Sequence, residues 1–187
     1  MLAKVSEHLQ THLGADPVRA SVTFLGVASM QVLRFAPDAD GLVHYATLGC
    51  ARAPMGDPDA VVADPVRGPR AELVLTVRRP VDGVLRSLAV LASSPAVEGV
   101  VLQSDSLLDL SEPLWEHAPF TAVLLGVSSV PELGLESPMD AVALLSVTPV
   151  TATEAAWVRL RGADALRQAW AEAGVDVSDP DRSAVTL

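Results

Sequence analysis

Two near-continuous apolar runs, Phe120 to Val127 and Ala141 to Val147, constrain this chain more than any other feature. Each is bounded by turn residues and lacks the polar alternation of a half-exposed strand, so both read as central strands buried on either face. The other strand signals are of a different kind. Leu42 to Leu48 alternates, with Leu42, His44, Ala46 and Leu48 on one face and Val43, Tyr45 and Thr47 on the other. Met30 to Phe35 precedes it across Pro37-Asp38-Ala39-Asp40-Gly41, a stretch of turn formers, and the two runs read as a hairpin. Ala71 to Val77 alternates again. Ser21 to Leu25 is a short β-rich run closed by Gly26, and Val100 to Leu102 is a candidate short strand.

Helical spacing marks the rest. Val5, Leu9 and Leu13 form a stripe ended by Gly14 and Pro17, and Val84, Leu88 and Leu91 form a second, expected to stop at Pro95 and Gly99. Thr151-Ala152-Thr153-Glu154 is a capping box: the threonine hydroxyl accepts from the Glu154 amide while the carboxylate reaches back to the Thr151 amide. A helix over Ala155 to Arg161, a bend at Gly162 and a second segment over Asp164 to Ala173 follow. That segment buries Leu166 and Trp170 and ends at Gly174. Asp105 to Pro119 reads as a loop. Residues 49 to 69 form a Gly/Pro/Asp-rich connection without periodicity, of a length usually functional or poorly ordered. With no internal repeat and no low-complexity linker, the expectation is a single domain over residues 1–187. Its fold class is α+β, a mixed, largely antiparallel β-sheet covered by helices.

Half of the 187 residues are hydrophobic and 19% are charged, which excludes global disorder. The longest uncharged runs, 117 to 131 and 141 to 153, contain prolines and fall short of the ~20 apolar residues a spanning helix needs. Lys4, Glu7, His8 and His12 interrupt the start of the chain where a signal peptide would be apolar. A single cysteine, Cys50, forms no internal disulfide and no thiolate metal site. A cytoplasmic setting is therefore expected.

The net charge of −10 is unevenly placed: residues 87 to 158 hold nine acids and no lysine or arginine. Phosphate contacts need those bases, so nucleic-acid binding is not expected. An acidic surface would instead steer a basic protein partner, and Asp105, Asp109, Glu112, Glu116, Glu132 and Glu136 are the candidate contacts. The alternative is a solvated rim that serves solubility.

No constellation demands chemistry. His8 and His12 are spaced i, i+4 on a helix, yet no glutamate follows His8 in the zincin manner and no third ligand is near. His44 precedes Cys50 by six residues, and a thiolate with an adjacent base would be a nucleophile. A strand histidine and a small semi-buried cysteine is the simpler account. There is no Gly-x-Ser-x-Gly elbow, phosphate loop or dinucleotide fingerprint, and no cofactor or metal is expected. Trp115, Trp157 and Trp170 are too scattered for a base-stacking platform and read as core or interface residues.

Several segments taken in order resemble the suppressor-of-fused-like domain family. They include Val32-Leu33-Arg34-Phe35, His44-Tyr45-Ala46-Thr47-Leu48-Gly49, Pro54-Met55 and Arg70-Ala71-Glu72-Leu73. Glu112-Pro113-Leu114, Thr148-Pro149-Val150-Thr151 with Glu154 and Trp157, and Asp179-Pro180-Asp181-Arg182 extend the match over a core of about residues 20–182. The resemblance implies a sheet covered by helices and binding rather than catalysis. Animal members restrain transcription factors by holding a peptide between two domains, and this chain is too short for the second. Bacterial members are grouped with immunity proteins of toxin systems, so an inhibitor of a basic toxin or other protein is one implied role. A regulatory scaffold binding through the 49–69 loop is an alternative, and an enzyme using His44 or Cys50 a more distant one.

Overall fold

In the computed structural model, which describes residues 1–23, 28–56 and 64–187, the elements follow in chain order. They are α1 (Leu2–Leu13), β1 (Val18–Val22), β2 (Met30–Arg34), β3 (Val43–Leu48), a 3-10 turn (Cys50–Arg52) and β4 (Arg70–Val77). Then come α2 (Val84–Glu98), β5 (Leu107–Asp109), β6 (Phe120–Val127), β7 (Val142–Thr151), α3 (Ala152–Arg161) and α4 (Ala163–Glu172). The strands form one sheet in the order β1-β2-β3-β4-β7-β6-β5. Every neighbouring pair is antiparallel except β4 and β7, which run parallel. This is the α+β architecture, with a mixed and largely antiparallel sheet, that the sequence predicts.

Helices cover both faces of the sheet. On one, α2 sets Val84, Leu88 and Leu91 against Tyr45, Leu73, Leu75, Phe120 and Val147. On the other, Val5 and Leu9 of α1 cover Leu33, Ala46, Leu48 and Val74. Farther along that same face, Val158, Leu166, Trp170 and Val185 cover Ala122, Leu124 and Val150. Each valine, leucine or phenylalanine among these removed from water contributes about 1.5–3 kcal/mol. The two apolar runs of the sequence accordingly become β6 and β7 in the sheet interior. Strand β4, which alternates in sequence, is also buried on both faces, with even Glu72 fully enclosed.

The structure corrects several local expectations. Helix α2 continues through Pro95 to Glu98, and only Gly99, the second expected stop, ends it. Proline cannot donate to the Leu91 carbonyl four residues back, but the Ser94 hydroxyl does so at 2.7 Å. Residues 100–102 form no strand; the Leu102 amide turns to the Met55 sulfur (3.2 Å). The stretch read as a loop from Asp105 to Pro119 holds β5, too short to show a period. The first strand is Val18–Val22, earlier than the Ser21–Leu25 run, of which Phe24 and Leu25 lie outside the described residues. Strand β7 runs on through Pro149 to Thr151. The Pro149 carbonyl accepts from Arg182 (2.7 Å) on the side away from β6, so the missing N–H also lies on a side where no ladder partner stands.

Candidate functional site

β5 closes the sheet at one end, and its outer side is open. The Ser106 carbonyl accepts from Leu125 (2.9 Å) and the Leu110 amide donates to Thr121 (2.9 Å), both across to β6. Backbone groups alternate along a strand, so Leu107 and Asp109 direct their amides and carbonyls away from the sheet. Beside this edge runs α2. Between the two lies a groove of about 490 Å³, walled by Val90, Leu91, Leu108, Leu110 and Pro113. Val90 is 45% exposed although its helix otherwise packs on the sheet, so an apolar wall is open to solvent. Glu98, Asp109 and Glu112 line the groove with a single base, Arg86. Glu98 and Glu112 form no ion pair among the described residues.

Of the six acidic residues singled out in the sequence, the fold gathers only part at this groove. Asp109 lines it but is paired with Arg159 at 2.5 Å, and Glu112 lines it free. Asp105 pairs with Arg167 (2.6 Å) on the opposite face of the sheet edge. Glu116 is exposed beside His117 (3.4 Å) in the loop before β6. Glu132 and Glu136 follow β6, with Glu136 held by Lys4 of α1 at 2.6 Å; that contact lowers the Glu136 pKa. Bases distant in the chain thus return to the segment that lacks them.

The residues that carried the resemblance are mostly buried and serve the frame. Glu72, on β4, accepts from the Thr47 hydroxyl (2.6 Å) and from the amides of Gly49 (2.8 Å), Cys50 (3.3 Å) and Ala51 (3.1 Å). It therefore binds the turn after β3 as a carboxylate in a ring of donors. Burial raises its pKa against those hydrogen bonds. Gly49 takes φ +139°, and an added Cβ would press on the Met30 sulfur at 3.2 Å. Arg70 is buried and donates to the carbonyls of Ala51 (2.8 Å) and Val66 (2.9 Å). The Tyr45 hydroxyl accepts from the Val81 amide (3.1 Å) ahead of α2. Pro54 lies against Gly68, and buried Met55 bonds Pro69 (2.7 Å), so both ends of the 49–69 connection are pinned. Its residues 57–63 lie outside the described residues. Arg34 is exposed at the end of β2, and Trp157 lies half-buried beneath Arg161 (5.3 Å).

Glu154 is more than the helix cap read from sequence. It makes the capping box with Thr151 and also accepts from Trp170 Nε1 (2.9 Å), Arg182 (2.7 and 2.9 Å) and the Val185 amide (3.1 Å). Arg182 sits over the rings of Phe120 (5.1 Å) and Trp170 (5.3 Å). The cluster ties the last residues of the chain to β7, α3 and α4.

The candidate nucleophile is not assembled. Both His44 nitrogens are engaged, Nδ1 with Thr76 Oγ1 (2.9 Å) and Nε2 with Asp38 Oδ2 (3.0 Å). Asp38 is held below the usual carboxylate range by the Leu42 amide and then by His44. Cys50 is buried, and burial together with the Glu72 charge pushes its thiol far up. A thiolate is disfavoured there. The His8 ring bonds the Pro131 carbonyl (2.7 Å), and His12 bonds the His8 carbonyl (2.9 Å). Among the described residues no group of three or more His, Cys, Asp or Glu side chains is placed to hold a metal ion. Nor is any helix long and apolar enough to cross a membrane.

Sequence reasoning did not find the open edge of β5 or the outward face of α2. The signal available was the pair Leu107-Leu108 inside a stretch of turn residues, which gains meaning only once β6 is beside it.

A mixed seven-stranded sheet with α2 on one face, three helices on the other and one edge open beside a groove defines an α+β domain of the suppressor-of-fused type. The chain belongs to the Suppressor of fused protein (SUFU) family, whose match covers residues 26–183. The fold is similar to that of a SUFU homologue from Neisseria gonorrhoeae FA 1090, with a TM-score of 0.72 and 18% identity over 99% of this chain and 96% of that one. A Sufu–Fu complex structure matches with a TM-score of 0.67 and 10% identity, over 98% and 89% of the two chains. Drosophila Suppressor of Fused matches at 0.67 with 12% identity, over 98% of this chain and 50% of its own. At these identities the likeness is one of fold. No curated protein matches.

Proposed function

We propose that this protein is a non-catalytic protein-binding module that holds an extended, basic segment of a partner between α2 and β5. The observation that carries this reading is the set of outward amides and carbonyls on Leu107 and Asp109 beside an apolar wall edged by acids. An added strand would satisfy those backbone groups, as in β-strand addition generally, while every second side chain enters the groove. Glu98 and Glu112 would select a basic residue and speed its approach. The family supports binding, since one matched structure is a Sufu–Fu complex. The finer reading is an immunity-type inhibitor that neutralises a basic toxin or other basic protein in the cytoplasm. It is supported by the excess of acids over bases and by a lone, buried thiol.

Affinity capture of the tagged protein from its own cells, washed at low and high salt, identifies the partner. Reversing the charges with Glu98→Lys and Glu112→Lys is then expected to weaken that partner about tenfold or more and to flatten its salt dependence. Unchanged affinity in the double variant would remove the groove from the reading. A captured partner with no basic segment would remove the toxin-inhibitor role.

A further inference from the structure

We propose a second docking cleft, sharing no lining residue with the α2–β5 groove, that receives a lysine or arginine side chain of a protein partner. Where β6 ends, the chain leaves the sheet at Ser128, whose amide donates to Leu144 (3.2 Å). It rejoins at Leu133, which exchanges backbone bonds of 3.0 and 2.9 Å with Val142. The excursion between these points walls a cleft of about 510 Å³, with Val130 and Pro131 facing Met55, Leu102 and Leu144. This falls within the ~300–1,000 Å³ common for ligand pockets.

Three features specify the occupant. The wall is apolar, which suits an aliphatic stem. Glu132 and Asp140 line the same cleft, are exposed, and form no ion pair among the described residues. Asp140 Oδ2 accepts from the Gly68 amide (2.6 Å), which leaves Oδ1 for a cation. Arg70, 3% exposed, also lines the cleft; its two terminal nitrogens bond Ala51 and Val66, and its Nε is buried without an acceptor. That guanidinium is enclosed by the frame, and its charge is set against Asp140. Two exposed carboxylates at the rim against this one enclosed guanidinium leave the cleft acidic and favour a cation over an anion.

The cleft is also preformed. The Ser128 hydroxyl accepts from the Val130 amide (3.1 Å), and His8 of α1 bonds the Pro131 carbonyl (2.7 Å), so the excursion is held from inside and behind. The opposite wall is fixed by the Leu102 amide on the Met55 sulfur. A fixed cleft loses less on ordering than a mobile one.

The test titrates acetyl-Leu-Arg-amide, and acetyl-Leu-Gln-amide as the uncharged control, into the ¹⁵N-labelled full chain. The arginine probe is expected to shift the amides of Val127, Ser128, Val130 and Leu144. Glu132→Gln and Asp140→Asn, the latter retaining an oxygen for the Gly68 amide, are each expected to weaken it about tenfold. The inference is overturned by an equal response to both probes, by shifts centred on the α2–β5 groove, or by an affinity indifferent to both substitutions. It is also overturned by no saturable response up to roughly 10 mM. Because Glu98 and Glu112 lie outside the cleft, failure of the groove reading leaves this outcome unaffected.

Discussion

Two buried glutamates without solvent exposure behave in opposite ways, because one has a cation and the other has only hydrogen-bond donors. At Glu154, burial acts to raise the pKa, but Arg182, Thr151, Trp170 and Val185 outweigh it and hold the carboxyl at about 2. A carboxylate depressed in the folded state stabilises above its unfolded value and loses that contribution as pH falls. The loss here spans pH 4.5 down to about 2. At Glu72, burial dominates and the pKa is raised, so its contribution runs the other way and declines as pH rises above 4.5. Of these two buried glutamates, only Glu154 therefore contributes to the acid limb of stability. Replacing Arg182 with methionine leaves a buried carboxylate without its cation and the Pro149 carbonyl without its donor. The expected cost is about 3–5 kcal/mol at neutral pH. Urea unfolding across a pH series should also show a shallower decline below pH 4.5 in Arg182→Met than in the parent. A parallel decline in both proteins would mean that Glu154 contributes nothing to the acid limb.

Between α3 and α4 a single residue decides whether the chain turns. Gly162 takes φ +88° with ψ 168°, a region open to glycine and closed to other residues, yet an added Cβ would meet no atom within 4 Å. Gly162→Ala thus tests backbone strain alone and is expected to cost about 1–3 kcal/mol. In a chain of this size that lowers the melting temperature by about 2–4 °C per kcal/mol; an unchanged melt would show that the bend does not need glycine. This bend was legible in the sequence, as was the Thr151–Glu154 cap, because their causes lie within a few residues. The β6 and β7 runs were legible because burial on both faces is written in continuous apolar residues. What escaped depends on distance along the chain. Pro95 reads as a helix stop until the Ser94 hydroxyl is seen on Leu91, and β5 reads as loop until β6 pairs with it. Arg182 reads as part of a closing motif until it meets Glu154, 28 residues away. The candidate groove escaped for the same reason, since its walls come from α2 and β5.

At the scale of the molecule, the acid-rich segment from 87 to 158 does not become one acidic face. Folding returns Lys4, Arg159 and Arg167 to Glu136, Asp109 and Asp105, all in exposed positions except half-buried Arg167. Of the remaining acids, Glu98 and Glu112 line the α2–β5 groove, Glu132 and Asp140 line the cleft after β6, Glu116 stands exposed beside His117, and Glu154 is buried with Arg182. Exposed pairs of this kind are worth about 0–1 kcal/mol each, whereas a net charge of −10 repels itself over the whole surface. Salt screens both, with a Debye length of about 8 Å at physiological ionic strength. It scarcely reaches Glu154 and Arg182, whose side chains are 0% and 5% exposed. The repulsion acts over many separated charges and the attractions over few, so screening should stabilise the fold. The melting temperature is therefore expected to rise from low to physiological sodium chloride and then level off. A fall over that range would show that the three returned pairs outweigh the repulsion. The acidic segment would then be a structural device, with less of its charge free for a basic partner.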